Sequence, residues 1–140
     1  MSDTYPRIAQ VVLDTTDARV LAEFYRHMFG LEYRHGDEPP ATGQPDPRGN
    51  DWLVLRNNRG GPQLAFQQTD GVAPSTWPEA TVPQMSHLDT VVDTLEELDT
   101  QRERALSLGA VVLLDRTEDT QEPLFVFADP AGHPFCIFVG

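Results

Sequence analysis

Apolar positions along the chain follow the period of strands and then the period of helices, in an order that occurs twice. Residues 8–16 are typical of a strand, and from Asp17 to Gly30 apolar residues recur at helical spacing. These apolar positions are Val20, Leu21, Phe24, Tyr25 and Met28. Strands are predicted next for LEYRHG, WLVL and QLAFQQ, with an exposed, Pro- and Gly-rich loop at residues 37–50. The order predicts a β-α-β-β-β module over residues 6–70.

The second half of the chain repeats this order after a linker at residues 71–83. HLDTVV is predicted as a strand, and the capping box from Thr94 to Glu97 opens a helix that runs to about Gly109. The apolar stripe of this helix is Leu95, Leu98, Ala105 and Leu108. Strands over VVLLDR, PLFVF and PFCIFV complete a second module at residues 84–140.

The two halves also match in their residues. Residues 52–67 align with residues 124–139 without a gap, which places Gly60 on Gly132, Pro62 on Pro134 and Leu64 on Cys136. A single module cannot cover both faces of its own sheet, so two modules are expected to pack around a shared concavity. The predicted fold class is α+β, built from two βαβββ modules within one domain.

The net charge and the number of cysteines limit the classes of binding partner and the cellular location that we expect. The formal net charge of −12 disfavours binding to nucleic acid or to an anionic membrane surface. We expect no signal peptide and no membrane-spanning segment, because no apolar run is long enough. A single cysteine, Cys136, cannot form an internal disulfide, so a cytoplasmic location is expected.

Three segments resemble the vicinal oxygen chelate superfamily, which includes glyoxalases, bleomycin-resistance proteins, extradiol dioxygenases and fosfomycin-resistance enzymes. They are FYRHMFGLEY, the strand and helix HLDTVVDTLEELDTQRERALSLGA, and the closing FADPAGHPFCIF. Within the superfamily the chain is most similar to the glyoxalase-like domain group. The resemblance implies a cup-shaped sheet and a homodimer.

The resemblance also implies where a metal would bind. Metal-using members take ligands from the first strand of each module, here Gln10 and His87, and often from the last strands, here Leu64 and Cys136. Such relatives usually have Glu at the position of Cys136, and glyoxalases also have Glu at that of Leu64. Leucine cannot coordinate a metal, and a catalytic ion needs about three protein ligands. We therefore expect a cavity without the usual metal; if an ion binds, Gln10, His87 and Cys136 could hold a soft ion such as zinc.

Strand alternation and the resemblance together suggest a set of ligand-binding positions. The candidates are Gln10, Val12, Leu64, Phe66, His87, Asp89, Cys136 and Phe138. His87 is either a polar anchor oriented by Asp89 or a core histidine satisfied by its neighbours. Cys136 is interpreted as part of the cavity wall rather than a nucleophile, because no cationic neighbour is evident to lower its pKa.

Three functions remain open at this stage. The favoured one is metal-free binding of a small, partly apolar molecule in the cavity, as in bleomycin-resistance proteins. The second is a metal-dependent lyase, isomerase or dioxygenase-type enzyme, for which no catalytic residue can be assigned. The third is a structural role with the cavity filled by side chains. The fold alone cannot choose among them, since it hosts unrelated activities.

Overall fold

A computed structural model describes residues 5–140. Its contacts divide the chain into two compact units, with residues up to Thr69 in unit one and Asp70–Gly140 in unit two. Each unit carries one four-stranded mixed sheet and one long helix. The α+β class and the pair of βαβββ-like modules are therefore confirmed. Among residues 5–140, neither helix has the length and apolar character needed to cross a membrane.

Unit one contains four strands and one long helix. They are β1 (Gln10–Thr15), α1 (Ala18–Phe29), β2 (Glu32–Tyr33), β3 (Trp52–Arg56) and β4 (Gln63–Gln68), with a short 3-10 turn at Arg48–Asn50. The strand order is β1-β4-β3-β2, and only the β1–β4 pairing is parallel.

Unit two repeats the plan with β5 (Leu88–Val92), α2 (Leu95–Ser107), β6 (Val111–Asp115), β7 (Leu124–Ala128) and β8 (Pro134–Val139). Its strand order is β5-β8-β7-β6, with β5 and β8 parallel. The two sheets therefore have the same topology, and every predicted strand exists within a few residues of its predicted bounds. His87 lies one residue before β5 instead of inside it.

Both helices begin at the predicted caps. The Asp17 carboxylate accepts from Val20 N at 3.1 Å, and the Thr94 hydroxyl accepts from Glu97 N at 3.1 Å. The Glu97 carboxylate in turn accepts from Asp93 N at 3.0 Å, which completes the capping box. Gly30 ends α1 in the left-handed region at φ 65°, where glycine has no steric penalty.

The predicted apolar stripes are confirmed only in part, since Leu108 is half-buried at the C-cap of α2. Leu21, Phe24 and Met28 of α1 and Leu98 and Ala105 of α2 are buried. The prediction that Leu95 is buried was wrong, because its side chain is 54% exposed, and Val20 at helical spacing in α1 is 53% exposed. Position in the first turn is not the cause, because Ala18, the first residue of α1, is fully buried.

The strand register corrects the gapless alignment of the two halves. Val54 pairs with Ala65 in unit one, whereas its counterpart Val126 pairs with Cys136 in unit two. The β7–β8 connection is thus one residue shorter than the β3–β4 connection, and Cys136 corresponds to Ala65 instead of Leu64. A slip of one residue moves a side chain to the opposite face of its sheet.

Leu64 and Phe66 consequently lie on the helix side of the first sheet. Phe66 is fully buried, with its ring centroid 5.6 Å from that of Tyr25 in α1, and Leu64 is 7% exposed. The prediction that they share a face with Gln10 and Val12 was therefore wrong. Residues 63, 65 and 67 occupy that face beside β1 instead.

Candidate functional site

Three of the predicted site residues, Asp89, Cys136 and Phe138, lie on one face of the second sheet. Asp89 pairs with Cys136 and Val91 with Phe138 across β5 and β8, so these four side chains share a face. The opposite face carries the buried Phe135 and Ile137. The predicted alternation along β8 is thus confirmed, and it leaves Cys136 and Phe138 half-buried on the other side.

Three polar side chains, those of His87, Asp89 and Cys136, come close together at this face. The His87 Nε2 atom is 3.2 Å from the Asp89 carboxylate, with the two side chains 41% and 61% exposed. The ligand atoms of His87, Asp89 and Cys136 all lie within 4.8 Å of one another. The cluster arises because Asp89 and Cys136 are register partners and His87 is two residues before Asp89 on the same chain.

The Cys136 thiol is kept protonated by its surroundings. Burial raises the pKa of Cys136 to about 11, and the nearby carboxylates of Asp89 and Glu122 and a hydrogen bond with Asp89 act in the same direction. Because the thiolate is the nucleophilic form of cysteine, this environment suppresses its reactivity at neutral pH. In the described unit, Cys136 therefore acts as a neutral group on the wall of the site.

Beside this cluster lies a recess of about 30 Å³. Its lining residues are Trp77, Gln84, His87, Val126, Pro134 and Cys136. Trp77 belongs to the predicted linker at residues 71–83, where it was expected to pack either over the mouth of the cavity or against a partner subunit. Gln84, Val126 and Pro134 were not identified from the sequence. For Val126 the pairing with Cys136 would have been the signal, but it requires the correct register.

The segment that carries Trp77 is fastened to the turn between β7 and β8. Ser75 N donates to the Gly132 carbonyl at 3.4 Å, and an added Cβ on Gly132 would lie 2.6 Å from Pro74 Cβ. The Thr76 hydroxyl donates to the Glu79 carbonyl and accepts from Val82 N, closing a local turn. These contacts place Trp77 at the recess.

The turn itself is formed by the DPAGH segment, whose aspartate is 4% exposed. The Asp129 carboxylate accepts from Ala131 N at 2.8 Å and from His133 N at 3.0 Å, and Gly132 adopts φ 94°. The DPAGH segment, which lies in the part of the chain that resembles the superfamily, thus forms a tight turn that leads directly into β8.

The predicted site residues of unit one have a different environment. Gln10 is half-buried on edge strand β1 opposite Gln63, and Val12 is 41% exposed. Leu64 and Phe66 are excluded from that face by the register described above. Ala65, the counterpart of Cys136, has no side-chain atom that could coordinate a metal. The position of unit one that corresponds to Cys136 therefore offers no side-chain ligand, although the residue there is Ala65 and not the predicted Leu64.

Comparison with known proteins identifies the family. A family model described as a glyoxalase-like domain matches residues 10–138, so the chain belongs to the glyoxalase-like domain family of the vicinal oxygen chelate superfamily. The comparison with curated proteins gave no significant match.

Solved structures share the fold at low sequence identity. A glyoxalase/bleomycin resistance protein/dioxygenase family enzyme from Burkholderia phytofirmans PsJN matches with a TM-score of 0.70 and 18% identity, covering 96% of this chain and 98% of that one. Lactoylglutathione lyase from Agrobacterium tumefaciens gives 0.60 and 22%, with coverages of 96% and 93%. The fosfomycin resistance protein from Mesorhizobium loti gives 0.64 and 15%, with coverages of 100% and 94%. At these identities the likeness shows the fold alone.

Proposed function

We propose that this protein binds a small, partly apolar molecule at the exposed face of its second sheet, without a metal. The supporting observation is the convergence of His87, Asp89 and Cys136 beside an apolar recess lined by Trp77, Val126 and Pro134. Ligand sites typically combine apolar walls with a few polar groups that fix orientation.

The size of the recess limits what enters it. Whole-ligand pockets are usually about 300–1,000 Å³, whereas this recess has about 30 Å³. One small group of the ligand therefore enters the recess, while the remainder lies along the open face beside Val91, which is 56% exposed, and the half-buried Phe138. This arrangement suits an amphipathic molecule with a compact polar end.

The chemistry of the thiol favours binding without a metal. Coordination by cysteine requires the thiolate, and the burial and carboxylates around Cys136 instead raise its pKa to about 11. Neither glutamate of the usual metal-using pattern stands in its position. The homodimer and the cytoplasmic location remain predictions from the sequence.

A second candidate function is that of a metal-dependent lyase or isomerase. It is favoured by one observation: His87, Asp89 and Cys136 each offer a ligand atom within 4.8 Å of the others. This set would replace the predicted trio by exchanging Gln10 for Asp89. An imidazole, a carboxylate and a thiol are donors that zinc accepts.

The two candidates are separated by thermal denaturation of the purified chain with a panel of amphipathic small molecules, and with zinc or EDTA. We expect stabilisation by a panel member, loss of that stabilisation in His87→Ala, and no response to EDTA. His35→Ala is the matched control, because the side chain of His35 is fully exposed in unit one. Stoichiometric zinc in protein purified without chelator, with a lower melting temperature in EDTA, would establish the second candidate instead.

A further inference from the structure

We propose that unit one carries a second binding site, in a cleft at the start of β1 and β4, and that this site takes an organic carboxylate with an apolar body. It shares no residue with the site proposed on the second sheet and does not depend on it. The cleft encloses about 510 Å³, and whole-ligand pockets usually span about 300–1,000 Å³. Its lining residues are Arg7, Ile8, Ala9, Gly61, Pro62 and Gln63.

The cleft exists because the pairing of two parallel strands stops at a proline. β1 and β4 are register partners from Gln10 and Gln63 onward. One residue earlier, the same register would set Ala9 beside Pro62, which has no N–H to donate to a neighbouring strand. Residues 7–9 and 61–62 therefore lie outside the strands, and the space between these two segments is open.

The charge of the cleft favours an anionic ligand. Arg7 is the one ionisable residue among the described residues that line it. Within residues 5–140, the Arg7 guanidinium has no ion pair and no hydrogen bond. A guanidinium matches the two oxygens of a carboxylate with parallel N–H donors. Four other arginines of unit one already face a carboxylate of the chain: Arg19, Arg26, Arg34 and Arg48.

Amide groups add neutral donors at the same place. Asn57 Oδ1 accepts from Arg59 N at 3.1 Å, which leaves Nδ2 as the outer atom of that amide. A Cβ added to Gly61 would overlap Asn57 Nδ2, so this nitrogen lies directly beside the cleft. The half-buried side chain of Gln63 supplies another amide in the lining. In a chain of net charge −12, this cleft thus combines a cation and amides without a carboxylate in its described lining.

The remaining walls favour an organic anion over inorganic phosphate. Ile8 is 86% exposed, and it lines the cleft together with Ala9 and Pro62. An apolar ligand body that covers these side chains removes their surface from water, which favours binding in proportion to the area covered. Phosphate shares the oxyanion chemistry that Arg7 recognises but has no such body.

The test compares two probes that share an aromatic body. 2-Naphthylacetate carries a carboxylate, whereas 2-naphthylacetamide is neutral, and calorimetry measures the binding of each to the full chain. We expect the carboxylate to bind at least about tenfold more tightly, as one charge-assisted hydrogen bond would give. This preference should decrease as sodium chloride is added, because salt screens an exposed charge. Inorganic phosphate, the third probe, should bind more weakly than naphthylacetate.

The location of binding is read from backbone amide resonances in NMR spectra. On addition of naphthylacetate, we expect the amides of Gly61 and Gln63 to shift with the same dissociation constant that calorimetry gives. Shifts of Asp89 and Val91 without shifts of Gly61 and Gln63 would place the carboxylate on the second sheet and overturn the inference.

Two arginine variants with the same change of charge test the role of Arg7. Arg7→Gln should abolish the preference for the carboxylate, and Arg7→Lys should retain part of it. Arg59→Gln is the matched control, because Arg59 Nη2 lies beside Gly30 at the end of α1, 3.1 Å from where a Cβ on Gly30 would be. A change in long-range charge alone would reduce the preference equally in Arg7→Gln and Arg59→Gln.

The remaining outcomes also decide the inference. Equal binding of carboxylate and amide, equal losses in the two glutamine variants, or phosphate binding as tight as that of naphthylacetate would overturn it. If Arg7→Gln does not fold, Arg7→Lys and the amide shifts of the unmodified chain decide. Each of these failures leaves the proposed function standing, because that site is tested separately by His87→Ala.

Discussion

In unit one the carboxylate of Asp37 is fully buried and holds a loop, whereas in unit two the carboxylate of Asp89 is 61% exposed and faces a histidine and a thiol. Asp37 accepts from Val54 N at 2.9 Å and from Arg48 at 2.8 Å, and it forms an ion pair with Arg34 at 3.1 Å. All of its partners are supplied by the chain itself. In unit two, Asp89 instead has His87 Nε2 at 3.2 Å and the Cys136 thiol nearby, with most of its side chain open to solvent.

The two β-hairpins give a second contrast. Gly60 and Gly132 hold the β3–β4 and β7–β8 turns at φ 91° and 94°, so the predicted correspondence of these glycines is confirmed in their backbone conformation. Space around them differs: an added Cβ on Gly60 meets nothing within 4 Å, whereas on Gly132 it would overlap Pro74. The same turn is a free connection in unit one and an attachment point for the Trp77 segment in unit two.

The largest expected effect tests the buried carboxylate of unit one. Asp37→Ala should lower the free energy of unfolding by about 4 kcal/mol, because Val54 N loses its buried acceptor and two arginines lose their partner. Chemical denaturation measures the change. Asp37→Asn keeps an acceptor for Val54 N and should cost about half as much. Equal stability of Asp37→Ala and the unmodified chain would show that the loop is not held in this way.

The next effect compares the two turn glycines. Gly132→Ala should destabilise the chain by about 3 kcal/mol, because it adds a clash with Pro74 to the strain of a positive φ. Gly60→Ala carries only the strain and should cost about 1.5 kcal/mol. Quenching of the fluorescence of Trp77 by acrylamide should increase in Gly132→Ala alone, with Trp52→Phe as the background to isolate the signal. Identical losses at the two positions would contradict the attachment of the linker.

The smallest effect on stability concerns the thiol of unit two. The pKa of Cys136 is about 11 in the folded chain against an ordinary value of 9.0, so the stability it contributes is complete below pH 9 and is lost as pH rises toward 11. Alkylation by iodoacetamide should therefore have its midpoint near pH 11 in the folded protein and near 9 in denaturant.

Asp89→Asn sharpens this measurement. Removing the negative charge should move the alkylation midpoint downward, although not to the ordinary value, since burial is the larger cause. Asp99→Asn, an exposed position on α2, should leave the midpoint where it was. An alkylation midpoint near pH 9 in the folded protein would contradict the conclusion that the Cys136 thiol is protonated at neutral pH because of its surroundings.

Most helices and strands could be predicted from the sequence, because they depend on local signals. Asp17 and Thr94 mark helix starts through their own side chains, and the alternation of PFCIFV separates Cys136 from Ile137 without knowledge of the partner strand. The candidate site could be predicted in part: His87 and Cys136 were named from the family pattern and Asp89 from strand alternation, and the three come together in unit two. Their role in binding remains a prediction.

The strand register of the two hairpins and the place of Gln84 could be decided only by the tertiary structure. A gapless alignment of the two halves is guided by matching glycines and prolines, whereas strand pairing follows backbone hydrogen bonds. Because the β7–β8 connection is one residue shorter than the β3–β4 connection, Leu64 and Phe66 lie on the helix side of their sheet and not on the predicted face. Gln84 gave no sequence signal, because whether a residue lines a recess depends on every neighbour that the fold brings to it. The sequence by itself thus determined the elements, their order and the helix caps, which rest on short-range chemistry. Strand order, register and burial rest on long-range contacts and were settled only in three dimensions.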